Sequence, residues 1–340
     1  MVRAACVFAT LSALIAGLSG CSAPSGSSRL EVVVYTALDE MYSQPVLESF
    51  ERATGIHVKA VYDTEASKTT GLRTRLIAEK SRPRADVFWN NEVAQTIMLD
   101  KAGVLEPYRS PAADGIPERY SGGVYWTGFA ARGRVIVYNT RLVQHPPQSI
   151  LDFLMPEWKG KAAIGRPLFG TTATHAAALF TLWGHSQAKD FFRGLQENGV
   201  AMLEGNAQVC DRVAQGDFAI GLTDTDDANG AMEDGFPVRW VFPDQQPNGM
   251  GTLVIPNTVA LIRDAPHPHS ARRLIDFLLS PEVEAQLASM RSIQIPLNPA
   301  VKAGANVPVL VRIKTMNVSF EAIAGNMPAA TDFFEQEFIR

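Results

Sequence analysis

Cysteine is scarce in this 340-residue chain, with three in all. Cys6 and Cys21 fall in the first twenty-one residues, so Cys210 is alone in the body and no internal disulfide can form there. Long apolar runs are equally scarce. After the first eighteen residues no stretch reaches the roughly 20 apolar residues needed to span a bilayer. Basic excess is missing too. Lys and Arg number 31 against 35 Asp and Glu, and no basic run alternates with aromatics, which excludes a nucleic-acid footprint. The sequence also lacks G-x-S-x-G, H-E-x-x-H and G-x-x-x-x-G-K-[ST], and its six histidines show no metal-binding spacing.

What is present begins with "MVRAACVFATLSALIAGLSGC". One basic residue, Arg3, precedes an apolar run from Ala4 to about Leu18, and small residues follow; this is the pattern of a secretory signal. The segment "LSGC", Leu18 to Cys21, resembles a bacterial lipobox. That resemblance implies cleavage after residue 20 and a diacylglycerol-bearing thiol at Cys21. The residues that follow, "SAPSGSSR", have the Ser/Gly/Pro composition of a flexible tether. Loss of Arg3 takes the net charge from −4 to about −5. The body must be held by its core alone, and 46% hydrophobic residues over this length suffice for two domains. Cys210, in the helical pattern "AQVCDRVAQGD", reads as a buried inert thiol.

From residue 30 onward strand and helix signals alternate. "LEVVVYTA" is a β-branched strand. "LDEMYSQPVLESFERATG" spaces Val46, Leu47, Phe50 and Ala53 as a helix that stops at Gly55. "IHVKAVYD" and "ADVFWNN" are further strands, and "TTGLRTRLIAEK" and "EVAQTIMLDKAG" are helices. "GRVIVYN" leads into "PQSILDFLMPEWKGKAAIGRP", a fresh helix and strand. A second α/β unit runs to "FAIGLTD", and "GTLVIPNTVALI" follows. "PHSARRLIDFLLSPEVEAQLASM" gives a helix broken at Pro281, and "ATDFFEQEFIR" a terminal one. The fold class is α/β, with mostly parallel sheets flanked by helices.

Four strand ends carry polar residues, where α/β sheets bind ligands. They are "VYTALDE" with Tyr35, Thr36 and Asp39; "FWNNE" with Asn90; "PLFGTTATH" with Gly170, Thr171, Thr172 and Thr174; and "LTDTDDAN" with Asp224 and Asp226. Around the threonines the local sequence has no Asp or Glu. The stretch therefore reads either as a Thr-capped helix or as an anion seat at a helix N-terminus. Asp224 and Asp226 read either as caps or as a seat for a cation, whether a ligand amine or a metal; Asp227 reads as solvated. His175 is a donor or a plain surface residue. Trp89 and Trp126 read as core before ligand contact, and Asn90, Asn91 and Glu92 as a capped helix start.

The order and spacing of "VVVYTA", "ADVFWNNE", "RVIVYNT", "MPEWKGKAAIGRP", "GDFAIGLTD" and "ARRLIDFLLSPE" resemble the periplasmic solute-binding proteins of ABC importers, in the ferric-iron-binding-protein-like group. The resemblance covers residues 30 to about 295. It implies two lobes joined by hinge strands and closing on a ligand. Residues 30–135 and 257–300 would form a discontinuous lobe one and 136–256 lobe two, with 301–340 a helical segment packed on both. It implies permease and ATPase partners, a small-molecule ligand, a monomer, and a site outside the inner membrane or on the outer cell surface, held by the lipid. It implies no cofactor and no catalysis.

Ferric members of the group usually carry adjacent tyrosines where this chain has "DTDD". They often have a His–Tyr pair where it has "ALDEMY". No Tyr-Tyr occurs anywhere in the sequence. Sibling members take phosphonates, phosphorylated sugars or thiamine. The expectation is therefore a phosphonate or phosphate-bearing ligand such as 2-aminoethylphosphonate, with its anion at Thr171–Thr174 and its amine at Asp224 and Asp226. Fe³⁺ carried by Tyr35, Asp39, Asp224 and Asp226 is the alternative, since hard cations accept carboxylate and phenolate oxygen. A hydrolase of phosphate or phosphonate esters is the rival from a different class.

Overall fold

The computed structural model describes Met1 and residues 30–63 and 69–338. The signal, Cys21 and the tether lie outside the described residues. Among those described, no helix is long and apolar enough to cross a membrane.

Lobe one opens with strand β1 (Glu31–Thr36), flanked in parallel by β2 (His57–Tyr62) and β3 (Val87–Asn90). Helix α1 (Glu40–Thr54) buries Val46, Leu47 and Phe50, one helical face, as the spacing requires. It ends at Gly55, whose φ of 70° is the left-handed cap that glycine adopts without strain. Helices α2 (Thr70–Ala78) and α3 (Val93–Lys101) follow, then β4 (Leu105–Glu106).

Strand β5 (Thr127–Asn139) is thirteen residues long and starts six residues before the "GRVIVYN" signal. Residues Thr127 to Gly133 pair antiparallel with β10 (Val254–Ile262), which in turn pairs with β3. From Arg134 onward the same strand pairs with β8 (Ile220–Asp224) and β9 (Val238–Val241). Beyond β8 lie the parallel strands β6 (Ala162–Gly165) and β7 (Ala201–Leu203). The order is β2-β1-β3-β10-β5-β8-β6-β7, parallel at both ends with antiparallel β5 and β10 between. A bulge in β10 at Pro256/Asn257 and a positive φ at Ala130 mark the centre of this connection.

Lobe two is completed by α4 (Gly170–Glu197, interrupted at Gly184), α5 (Asn206–Gln215) and α6 (Thr225–Glu233). Helices α7 (Pro268–Leu278) and α8 (Pro281–Ser289) break at Pro281 as expected and pack on lobe one.

Two expectations need correction. "SILDFLMPEW" forms two short 3-10 turns, Ile150–Leu154 and Pro156–Trp158, rather than an α-helix. Ser149 and Asp152 close a capping box on a single turn, and Pro156 lacks the N–H that would carry the helix on. The terminal helix α9 spans Phe320–Phe338 and so begins ten residues before "ATDFFEQEFIR". Its buried Phe320, Ile323, Met327, Phe333 and Phe334 join the large core that also holds residues of α3 and α4. That burial tolerates Pro328 inside the helix.

Candidate functional site

A cavity of about 230 Å³ opens where the strand ends of the two lobes face each other. Lobe one contributes Asp39, Tyr42 and Asn91; lobe two contributes Arg166, Gly170, Thr171, Thr172, Asp224 and Asp226; and Arg132 comes from β5, the strand between them. Helix α4 begins here with no side-chain cap, its first residue Gly170 at φ 56°. None of the three threonines caps it, which removes the capping explanation for them. The unpaired N–H groups of the first turn and their partial positive charge are left at the cavity.

The threonines are not without acids either. Folding brings Asp224 onto Thr171, whose Oγ1 donates to Asp224 Oδ2 at 2.5 Å. The partner comes from β8, fifty-three residues away in sequence. Anion seat and acidic seat are therefore one network, not two ends of a cleft.

Arg134, fully buried, ties the network together. Its Nη1 donates to Asp224 Oδ1 (2.7 Å), Asn206 Oδ1 (2.9 Å) and Thr171 Oγ1 (3.1 Å), and Nη2 donates to Thr172 Oγ1 (3.2 Å). Asn206 Nδ2 donates back to Thr171 and Asp224, and Thr172 donates to Asn206. Asp224 thus spends its carboxylate on a guanidinium and does not cap α6.

Arg132 stands two residues earlier on β5, hence on the same face of the strand. Its Nη1 lies 3.3 Å from Asp226 Oδ2. Both residues are at most 4% exposed, yet Arg132 Nε and Nη2 and Asp226 Oδ1 have no hydrogen-bond partner in the protein. Burial pushes the Asp226 carboxyl up to about 6, with Asp224 and Asp39 adding to the rise and Arg132 opposing it. Burial also works against the charge on Arg132, but Asp226, Asp224, Asp39 and Asp227 outweigh it and keep the guanidinium protonated. Asp227 accepts from Thr223 and, with Asp224 and Asp226, offers oxygens within 4.8 Å of one another. Tyr42 is pushed up to about 12 by burial and then by Asp226 and Asp227, so its phenol stays neutral.

Other residues singled out in the sequence fall elsewhere. Tyr35 donates to Glu79 at 3.0 Å beneath Arg75 and does not line the cavity. Thr36 accepts from the Leu38 amide, and Asn90 Nδ2 donates to the Glu92 carbonyl; the cavity wall at that strand end is Asn91. Thr174 donates to the Gly170 carbonyl, and its hydroxyl lies against Glu92 of lobe one. Glu92 caps α3 through the Ala94 and Gln95 amides; burial nevertheless raises its carboxyl. His175 is buried, not a surface residue, and burial with Arg134 beside it lowers its pKa to about 3. Trp89 and Trp126 are core. Cys210 is buried, and burial pushes its thiol up.

The arginines were missed. Their signal was legible in "FAARGRVIVYN": two charges at i and i+2 in an otherwise apolar strand must be paired or face a polar cavity.

Residues 46–315 match the family described as bacterial extracellular solute-binding protein. The chain belongs to that family. It is 27% identical over 316 residues to the major ferric iron-binding protein of Neisseria meningitidis serogroup B, covering 90% of this chain and 92% of that one. It is 25% identical to a putative 2-aminoethylphosphonate-binding periplasmic protein of Salmonella paratyphi A, covering 82% of each. The fold matches that of iron-bound HitA from Pseudomonas aeruginosa with a TM-score of 0.81, at 22% identity, over 90% of this chain and 99% of the other. The two-lobe architecture and the family make this a periplasmic substrate-binding protein of an ABC importer, working with permease and ATPase components on a small ligand.

Proposed function

We propose that this solute-binding protein captures a small phosphonate- or phosphate-bearing molecule, 2-aminoethylphosphonate being the type case, and that Cys21 anchors it at the membrane as a lipoprotein. The observation that carries the ligand reading is the Arg132–Asp226 pair. Buried at the cavity wall, it is joined through a single nitrogen and a single oxygen. Two guanidinium nitrogens remain for an anion and one carboxylate oxygen for a cation. The uncapped start of α4 adds N–H donors beside the anion.

Capture then follows from charge. Arg132 and Arg134 balance Asp224 and Asp226, while the rest of the lining, Arg166 against Asp39, Asp227 and Glu204, leaves an acidic excess that favours the amine end. An aminophosphonate placed between Arg132 and Asp226 exchanges one ion pair for two. Asp39, Tyr42 and Asn91 close on it from lobe one. Lobe one is residues 30–135 and 257–300 and lobe two 136–256, with β5 and β10 as the hinge. The site binds without turning its ligand over.

Ferric iron is the second reading. It is favoured by the Asp224, Asp226 and Asp227 oxygens and by the iron-binding relatives. Against it stand the two guanidinium groups already paired to two of those carboxylates. Each unit of like charge at ~4 Å costs roughly 4 kcal/mol at an effective dielectric of about 20, and Fe³⁺ carries three.

Calorimetric titration of the wild type with 2-aminoethylphosphonate, ethylphosphonate and ferric citrate tests the reading. Micromolar or tighter binding of the aminophosphonate, with product analysis showing it intact, supports it. Binding of iron alone overturns it.

A further inference from the structure

Phe169, at the wall of the cleft, also lines a separate cavity of about 360 Å³. Helices α2 and α3 supply Thr70, Arg73, Gln95 and Met98; Leu168 adjoins Phe169; and α9 closes the far side with Met327 and Pro328. Gln95 is 4% exposed, and its Oε1 has no hydrogen-bond partner. The Nε of Arg73 is likewise buried without one, while its Nη1 rests on the Met98 sulfur at 3.3 Å. The carboxylate that Arg73 feels, Glu92, is committed to the α3 cap. A half-buried cation with an unspent Nε donor and a buried amide with an unspent Oε1 acceptor therefore face an amphipathic compartment, at a cost that an anion carrying its own O–H donor would relieve. Asp332 and Glu335, exposed on the wall, set a limit: they repel polyanions.

We propose that this compartment is a second ligand site, for a small monoanion whose carboxylate or phosphonate accepts from Arg73 while a hydroxyl or P–OH of the same molecule donates to Gln95 Oε1, with its apolar part against Phe169 and Met327. It does not depend on which ligand the cleft takes. Since α2 and α3 form one wall and residues 168–169, leading into α4, another, occupancy ties the two lobes together and favours the closed form.

The experiment titrates lactate and methylphosphonate into the full chain and into its Arg132→Gln, Arg73→Gln and Arg73→Lys variants, with melting curves alongside. The expected result is that at least one probe binds wild type and Arg132→Gln alike. Arg73→Gln should weaken it roughly tenfold or more, and Arg73→Lys by less. Should Arg73→Gln fail to fold, Gln95→Glu tests the same wall by placing a like charge against the probe, and it must weaken binding as strongly. Binding lost in Arg132→Gln but untouched in the Arg73 and Gln95 variants would assign the anion to the cleft and overturn the second site. No binding of either probe to the wild type would overturn it as well.

Discussion

Replacing Arg132 by Gln separates the phosphonate and ferric readings by sign. The side chain holds two unspent donors, Nε and Nη2, and one nitrogen 3.3 Å from Asp226. An anion bound there loses two charge-assisted hydrogen bonds in the variant. At about 1.5–3 kcal/mol each, the loss is at least about 3 kcal/mol, or roughly two decades in Kd. Iron responds in the opposite direction. Removing the guanidinium frees Asp226 of its counter-charge and takes a positive charge from beside the metal, so ferric affinity should rise.

Stability sets the control. Breaking a buried ion pair by removing one partner typically costs about 3–5 kcal/mol. Here Asp226 has an escape, because burial already places its carboxyl at about 6. Without Arg132, and with no cation bound in its place, it keeps a proton. The added cost at pH 7 is therefore about 1 kcal/mol and shrinks as pH falls. The assay is calorimetry with ethylphosphonate, 2-aminoethylphosphonate and ferric citrate at pH 7, with thermal melts at pH 5 and 7. A variant that folds, melts within a few degrees of wild type and binds ethylphosphonate with unchanged Kd would refute the role assigned to Arg132.

Asp226→Asn should weaken 2-aminoethylphosphonate by tenfold or so while sparing ethylphosphonate, because only the amine needs the carboxylate; calorimetry with the pair of ligands reads the difference. The same variant reports on pH. Asp226's folded pKa lies above its ordinary value, so its stabilising contribution is complete below about 4 and lost as pH rises through about 6. Wild type should therefore lose up to about 3 kcal/mol relative to Asp226→Asn between pH 4 and 7 in urea titrations; parallel pH profiles would contradict the burial of that charge. Thr171→Ala removes the hydroxyl that donates to Asp224 and accepts from Arg134 and Asn206, and should lower the melting temperature as well as affinity, by about 1–3 kcal/mol of stability; an effect on binding alone would mean direct ligand contact. Cys21→Ser should move the protein from the membrane to the soluble fraction or leave its signal uncut, read by fractionation and intact mass.

The strand and helix order was legible because each element announces itself locally: β-branched runs, helical spacing and glycine stops need no tertiary information. The 3-10 turns at Ile150–Trp158 and the early start of α9 were not, since both depend on a proline whose effect is decided by packing. The site was half legible. Gly170, Thr171, Thr172, Asp224 and Asp226 do meet at one cavity, because strand ends in an α/β sheet converge. Their relation was misjudged. A sequence shows Thr171 and Asp224 as separate stretches of opposite character, whereas pairing of β5, β6 and β8 sets them 2.5 Å apart. The arginines do not follow from strand ends, since they sit in the middle of a strand, where β5 passes from one lobe to the other.

That position explains the charge pattern. A strand crossing between lobes exposes its middle to the cleft, so a polar side chain there, Arg132, lines the cavity without any loop to carry it. Two cations so placed would repel each other and leave an empty cleft unstable. The acidic α6 start supplies the compensation: Asp224 to Arg134, whose Nη1 and Nη2 are bonded in the threonine network and only Nε is left over, and Asp226 to Arg132, whose Nε and Nη2 are both left over. One pair is therefore a fixed floor and the other a partly satisfied pair that a ligand can enter. Where ferric members of the group carry a tyrosine pair, phenolates would bring negative charge to a metal only if no cation already neutralised them. Here the neutralising cations are built into the hinge strand. On the proposed phosphonate reading, iron chemistry would require changing β5 as well as the "DTDD" turn, since the two arginines of β5 would set the class of ligand together with the acidic turn.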